Sequence, residues 1–172
     1  ARAQLGVPTV FNVLGPLAHP GRVTRQVLGV PDHTRAEQIA GVVQGADADL
    51  VWVVHGHDDL DELALSGPSQ VIEIRQGERR SFTVHPEDVG LATSAGEAIA
   101  GGDAATNASL TRSVLAGVPS PNRDVVVLNA GAGLVVAGVA EDLADGVTKA
   151  AAAIDDGRAA AKLEQLVAHT NG

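Results

Sequence analysis

Residues 25–54 impose the tightest constraint on the fold. "RQVLGV" (25–30) is short and apolar and is followed by Pro31, which suits a buried strand ending in a turn. Residues 33–45 carry Ala36, Ile39, Ala40 and Val43 at helical spacing and close on Gly45, so they predict an amphipathic helix with a glycine stop. "DLVWVV" (49–54) is a continuous apolar run, the pattern of a strand buried on both faces. Strand, helix, strand in this order predicts a right-handed parallel crossover and a sheet with two faces to cover.

The rest of the chain supplies the covering elements. "DELALSG" (61–67) and "SQVIEIRQGERRSFTVHPEDVGL" (69–91) predict shorter antiparallel strands with a tight turn at Gln76-Gly77. From Ser94 to Gly117 the composition shifts to Ala, Gly and Asp with helical spacing. "DVVVLNAGAGLVVAG" (124–138) is ambiguous, because Val125, Val126 and Val127 favour a strand by propensity alone. Residues 141–157 and 158–170 predict two amphipathic helices. The expected class is α/β, a mixed sheet with helices on both faces.

Composition narrows the function. With 12 Lys+Arg against 21 Asp+Glu the net charge is −9 and no long basic block occurs, which argues against nucleic acid or an anionic membrane as the main partner. Two Phe, one Trp and no Tyr leave no platform for stacking bases. The absence of cysteine removes disulfides and Cys-ligated zinc. No apolar run is long enough to span a bilayer as a helix and no signal-peptide pattern opens the chain, so a soluble, cytoplasmic protein is expected. The chain begins without Met, and Leu5, Val7, Val10, Phe11 and Leu14 already show helical spacing, as if a folded unit were entered midway. A fragment is the expectation.

"HGHDDLDEL" (55–63) is the stretch most suggestive of chemistry. Two histidines and four carboxylates follow directly on the apolar strand, at the end where open α/β sheets place ligands. Adjacent acids such as Asp61 and Glu62 suit a hard cation like Mg²⁺, which is often shared with substrate phosphates. A solvated acidic turn explains the same residues without chemistry. An EF-hand fits only the beginning of the pattern. Zinc on His55 and His57 would need a bend at Gly56, since alternate strand residues face opposite ways. Gly131 and Gly133 imitate a dinucleotide fingerprint, but Val136 stands where its third glycine belongs, so close helix packing is the better reading.

Four ordered blocks, "ARAQLGVPTVFNVLGPLAHP", "VVHGHDDLDEL", "GGDAATNASLTRSVLAG" and "RDVVVLNAGAGLVVAG", resemble the second half of anthranilate phosphoribosyltransferases, in the glycosyltransferase/nucleoside phosphorylase-like superfamily. The resemblance implies a mixed, mainly parallel sheet flanked by helices, with residues 124–138 helical. It implies that 1–172 is a fragment comprising most of the C-terminal α/β domain. About 1–20 would belong to the junction with a missing helical N-terminal domain, which in the family makes the homodimer contact. The implied reaction transfers phosphoribose from phosphoribosyl pyrophosphate to the anthranilate amine, on the route to tryptophan. By matching position, Asp61 and Glu62 would hold Mg²⁺ against the diphosphate, and Arg2 would bind the anthranilate carboxylate. No protein nucleophile is implied. Ala18-His19 and Pro8 depart from the common pattern, which has Thr-Asn and Arg there. The family's glycine-rich phosphate loop is missing, so the piece alone is expected to be inactive. A pyrimidine nucleoside phosphorylase-like enzyme and a non-catalytic acidic interaction module stand as alternatives.

Overall fold

The computed structural model describes Leu17 and residues 21–170. Arg2, Pro8, Ala18, His19 and the expected junction, apart from Leu17, therefore lie outside the described residues.

The strand–helix–strand unit forms as its pattern predicts. Strand β1 (Arg25–Gly29) runs parallel to β2 (Leu50–His55), with Arg25 opposite Leu50 and Gly29 opposite Val54. Between them lies helix α1 (His33–Gln44), whose start is fixed by Asp32: its carboxylate accepts the Arg35 N–H at 2.8 Å. Ala36, Ala40 and Val43 are the buried face. Gly45 does end the helix, but in a right-handed conformation (φ −82°) that any residue adopts.

Strands β3 (Ser69–Arg75) and β4 (Glu78–Val84) make an antiparallel hairpin around Gln76 (φ 51°) and Gly77 (φ 81°). Two consecutive positive φ values match the right-handed twist of the strands they join. The sheet order is β1-β2-β3-β4, with β2–β3 antiparallel as well. The sheet is mixed as expected, but among the described residues only one of its three pairings is parallel, so "mainly parallel" does not hold for them. A parallel return needs a long crossover, usually a helix. Residues 56–68 hold just one short 3₁₀ turn (His57–Asp59), so the chain comes back antiparallel.

The segment 61–67 is likewise not a strand. Leu63, Ala64 and Leu65 are buried at 0–1% exposure, yet they lie in a loop whose backbone is satisfied from elsewhere. Helix α2 is limited to Ala104–Leu115, capped by Asp103, and Gly96–Ile99 forms a separate 3₁₀ turn. Gly101 and Gly102, costly inside a helix, separate the two.

Helix α3 (Pro121–Ala137) resolves the ambiguous segment. Ser120 accepts the Arg123 N–H, Pro121 occupies the first turn and Gly138 closes the end at φ 76°. Val125, Leu128, Ala132, Val135 and Val136 then fall on one buried face, which overrides the strand propensity of the valines. Helices α4 (Leu143–Asp155) and α5 (Arg158–Thr170) complete the chain.

The sheet is covered on both faces. On one, α1 packs with Leu28, Val30, Val51, Val53, Ile72 and Ile74. On the other, Leu50, Trp52, Val54 and Val71 meet α3 and the Val147–Ile154 face of α4. That second face also buries a charge. Glu73, 3% exposed, accepts the Trp52 indole N–H at 2.8 Å and Arg80 Nε at 2.8 Å, with Arg75 Nε at 3.5 Å. Burial opposes ionisation, but the Trp52, Arg80 and Arg75 donors together outweigh it and hold the carboxyl below its usual range.

Gly131 is the closest point between α3 and α4. A methyl group there would lie 2.8 Å from the Val147 nitrogen, and one at Gly146 would lie 2.5 Å from the Gly131 oxygen. Helix packing is thus the role of Gly131, whereas Gly133 faces open space.

Candidate active site

Strand β2 ends at His55, and the acidic stretch follows at once. His55 Nδ1 is 3.0 Å from the Val30 carbonyl oxygen, so that nitrogen donates and Nε2 is left facing Asp59 Oδ1 at 3.9 Å. His57 Nδ1 lies 3.1 Å from Asp58 Oδ2 and 3.3 Å from Ser66 Oγ. His55 is thus held by the Val30 backbone and His57 by partners on the loop. No group of three or more His, Cys, Asp or Glu suited to a metal occurs among the described residues, so a cation on this loop would draw its remaining ligands from water or substrate. Asp58 and Asp59 both have positive φ (60° and 57°), and they carry the chain round into a single bridge between Gly56 and Leu60.

Asp61 and Glu62 come next, and their backbone is seated on two glycines. A side-chain carbon at Gly29 would fall 1.6 Å from the Asp61 carbonyl oxygen, and one at Gly56 would fall 2.2 Å from that of Glu62. No larger residue fits at either place without moving the acidic pair. From the other side Asn129 of α3 grips the following residue: its Oδ1 accepts the Leu63 N–H and its Nδ2 donates to the Leu63 carbonyl, both at 2.9 Å.

The pair is therefore a fixed feature at the carboxyl end of β2. Asp61 is exposed and Glu62 half-buried. Burial, and then the neighbouring Asp61 charge, push the Glu62 carboxyl above its usual range. No described Lys, Arg or His forms an ion pair with either. Two hard oxygen donors side by side, one of them destabilised in its charged form, fit a divalent cation that keeps water and phosphate in its remaining positions.

The sequence singled out Asp61 and Glu62 and noted Gly56 only as a bend, while Gly29 and Asn129 were missed. The glycine seats leave no signal beyond a glycine near a strand end, and Asn129 stood in plain view inside the false fingerprint "NAGAG". Arg2 lies outside the described residues.

Comparison with known proteins agrees with this layout. The profile described as "Glycosyl transferase family, a/b domain" matches residues 1–160. An anthranilate phosphoribosyltransferase of Rhodopseudomonas palustris is 48% identical over 167 residues, covering 97% of this chain and 49% of the relative. The solved anthranilate phosphoribosyltransferase of Thermus thermophilus superposes with a TM-score of 0.89 at 39% identity, covering 99% of this chain and 50% of that one. The Saccharomyces cerevisiae enzyme, solved in complex with PRPP and Mg, gives a TM-score of 0.81 at 29% identity, covering 95% and 47%. The chain spans about half the length of the curated relatives it matches. With its profile matched over residues 1–160 and its fold shared with the solved relatives, the chain belongs to the glycosyl transferase family, as an example of its a/b domain.

Proposed function

We propose that this chain forms most of the C-terminal α/β domain of an anthranilate phosphoribosyltransferase, with about 1–20 at the junction to a helical N-terminal domain. The whole enzyme would join the anthranilate amine to C1 of phosphoribosyl pyrophosphate and release pyrophosphate, in the cytoplasm, on the route to tryptophan. Its main support is the Asp61–Glu62 pair, immobilised at the carboxyl end of β2 with no cationic partner among the described residues. The pair's hard oxygens suit Mg²⁺, and the yeast relative was solved with PRPP and Mg. When bound there, Mg²⁺ would neutralise charge on the departing diphosphate. This chain's own contribution would be to hold the backbone that carries the two carboxylates in place at the carboxyl end of β2. Arg2 would pair bidentately with the anthranilate carboxylate. The whole enzyme would be a homodimer joined through its helical domain.

The test is made on the whole enzyme. Asp61→Asn with Glu62→Gln preserves shape and removes the charge, so turnover falls by about 10²-fold or more, the scale of one electrostatic stabiliser, and Mg²⁺ dependence is lost. Asp58→Asn with Asp59→Asn has a smaller effect. Wild-type activity of the Asp61/Glu62 variant across a Mg²⁺ titration would reduce the pair to a solvated turn. Phosphorolysis of thymidine or uridine in place of transfer to anthranilate would favour the nucleoside phosphorylase reading.

A further inference from the structure

Asn129 makes three hydrogen bonds, with both carboxamide N–H donors engaged. Oδ1 accepts the Leu63 N–H at 2.9 Å, and Nδ2 donates to the Leu63 carbonyl at 2.9 Å and to the Val125 carbonyl at 3.0 Å. The two bonds with Leu63 satisfy the same donor and acceptor that a neighbouring strand would engage. With the Ala64 N–H donating to Ser69 Oγ and the Leu65 carbonyl accepting the Ser94 N–H, they let the loop bury Leu63, Ala64 and Leu65 without a ladder. The third bond ties the carboxamide to its own helix one turn back, which fixes its orientation.

Leu63 is the residue after Glu62, so whatever holds the Leu63 backbone sets where the Glu62 carboxylate begins. Gly29 and Gly56 define how deep the Asp61 and Glu62 carbonyls lie, from the sheet side. Asn129 closes the arrangement from the helix side. We propose that Asn129 is a positioning residue of the acidic pair: it fixes the two carboxylates at the separation a divalent cation and a diphosphate require. This rests on the reading of Asp61 and Glu62 as cation ligands. Side chains that orient ligands without touching the cation are commonly worth 10–100-fold in metal affinity.

The test measures binding directly, in the whole enzyme, by electron paramagnetic resonance titration of Mn²⁺ in the presence of inorganic pyrophosphate. Asn129→Ala should weaken Mn²⁺ binding by about 10–100-fold and leave the KM for anthranilate unchanged. Val135→Ala, a core truncation two turns further along α3, should lower thermal stability without moving the Mn²⁺ affinity. Asn129→Ala with affinity within about 2-fold of wild type overturns the proposal, since the expected loss is at least 10-fold. An equal loss in Val135→Ala overturns it too, by making the effect one of general stability. The Asp61→Asn/Glu62→Gln variant separates the two levels: if it also binds normally, the cation-site reading itself has failed, and if it alone loses binding, only the role of Asn129 has. Should Asn129→Ala not fold, hydrogen exchange on the unaltered enzyme decides. The Leu63 amide should be protected to within about 10-fold of the β2 amides, and exchange at the rate of an open loop would overturn the clamp.

Discussion

Replacing Gly29 with alanine adds one methyl group at the point where the structure leaves least room. That carbon would sit 1.6 Å from the Asp61 carbonyl oxygen, against a comfortable separation of about 3.4 Å or more, so the loop must retreat by nearly 2 Å. Retreat is resisted, because Asn129 holds the next turn of the loop and Gly56 seats the Glu62 carbonyl. Overpacking of this kind costs about 1–3 kcal/mol. The functional loss should be larger in proportion, since displacing a reacting group by about 1 Å can cost 10²-fold in rate. Gly41→Ala is the control: nothing lies within 4 Å of the new carbon, and in the middle of α1 the change should stabilise by up to about 1 kcal/mol. Urea unfolding and steady-state kinetics across a Mg²⁺ titration, on the whole enzyme, read both effects. A Gly29→Ala enzyme with wild-type stability and Mg²⁺ dependence would refute the idea that the sheet seats the acidic pair.

Two further outcomes follow from the packing. Glu73→Gln should cost about 1–3 kcal/mol at neutral pH, the worth of hydrogen bonds to a charged group, because Arg80 and Arg75 lose their carboxylate. The native carboxyl lies below its unfolded value, so its stabilisation is complete above the ordinary glutamate range and is lost as pH falls through the native value. Urea midpoints of variant and wild type should therefore converge in acid, and a gap that stays constant would contradict the assignment. Gly131→Ala should destabilise by up to about 2 kcal/mol, overpacking at Val147 exceeding the gain in helix propensity, while Gly133→Ala should stabilise by up to about 1 kcal/mol. Thermal unfolding of the two variants checks the opposite signs.

The elements that sequence placed well are those whose signals are local. The stripe Ala36, Ile39, Ala40 and Val43 marks α1 within a dozen residues, and Gln76-Gly77 marks the hairpin. The misreadings arose where the deciding partner is distant. Residues 61–67 look like a strand because Leu63, Ala64 and Leu65 are apolar, but their backbone bonds go to Asn129, Ser69 and Ser94 and not to a neighbouring strand. The valines of α3 favour a strand by propensity, so the helix that forms there was expected only from the family resemblance. The acidic pair was visible in the sequence as a candidate cation site, beside the rival reading of a solvated turn. What fixes it in place was not, since a glycine announces neither which backbone will rest against it nor how closely.

Strand β4 forms one margin of the described sheet, and an unpaired margin is a template on which other chains can stack. This one opens with Glu78, Arg79 and Arg80, all exposed, and the two arginines are anchored to opposite faces by Glu37 and Glu73. A second copy approaching edge to edge would have to bury those charges or break their anchors. Among the described residues the hairpin is thus a sheet margin whose charges disfavour edge-to-edge pairing. That protection is electrostatic at its outermost layer, so it weakens as salt screens the exposed arginines.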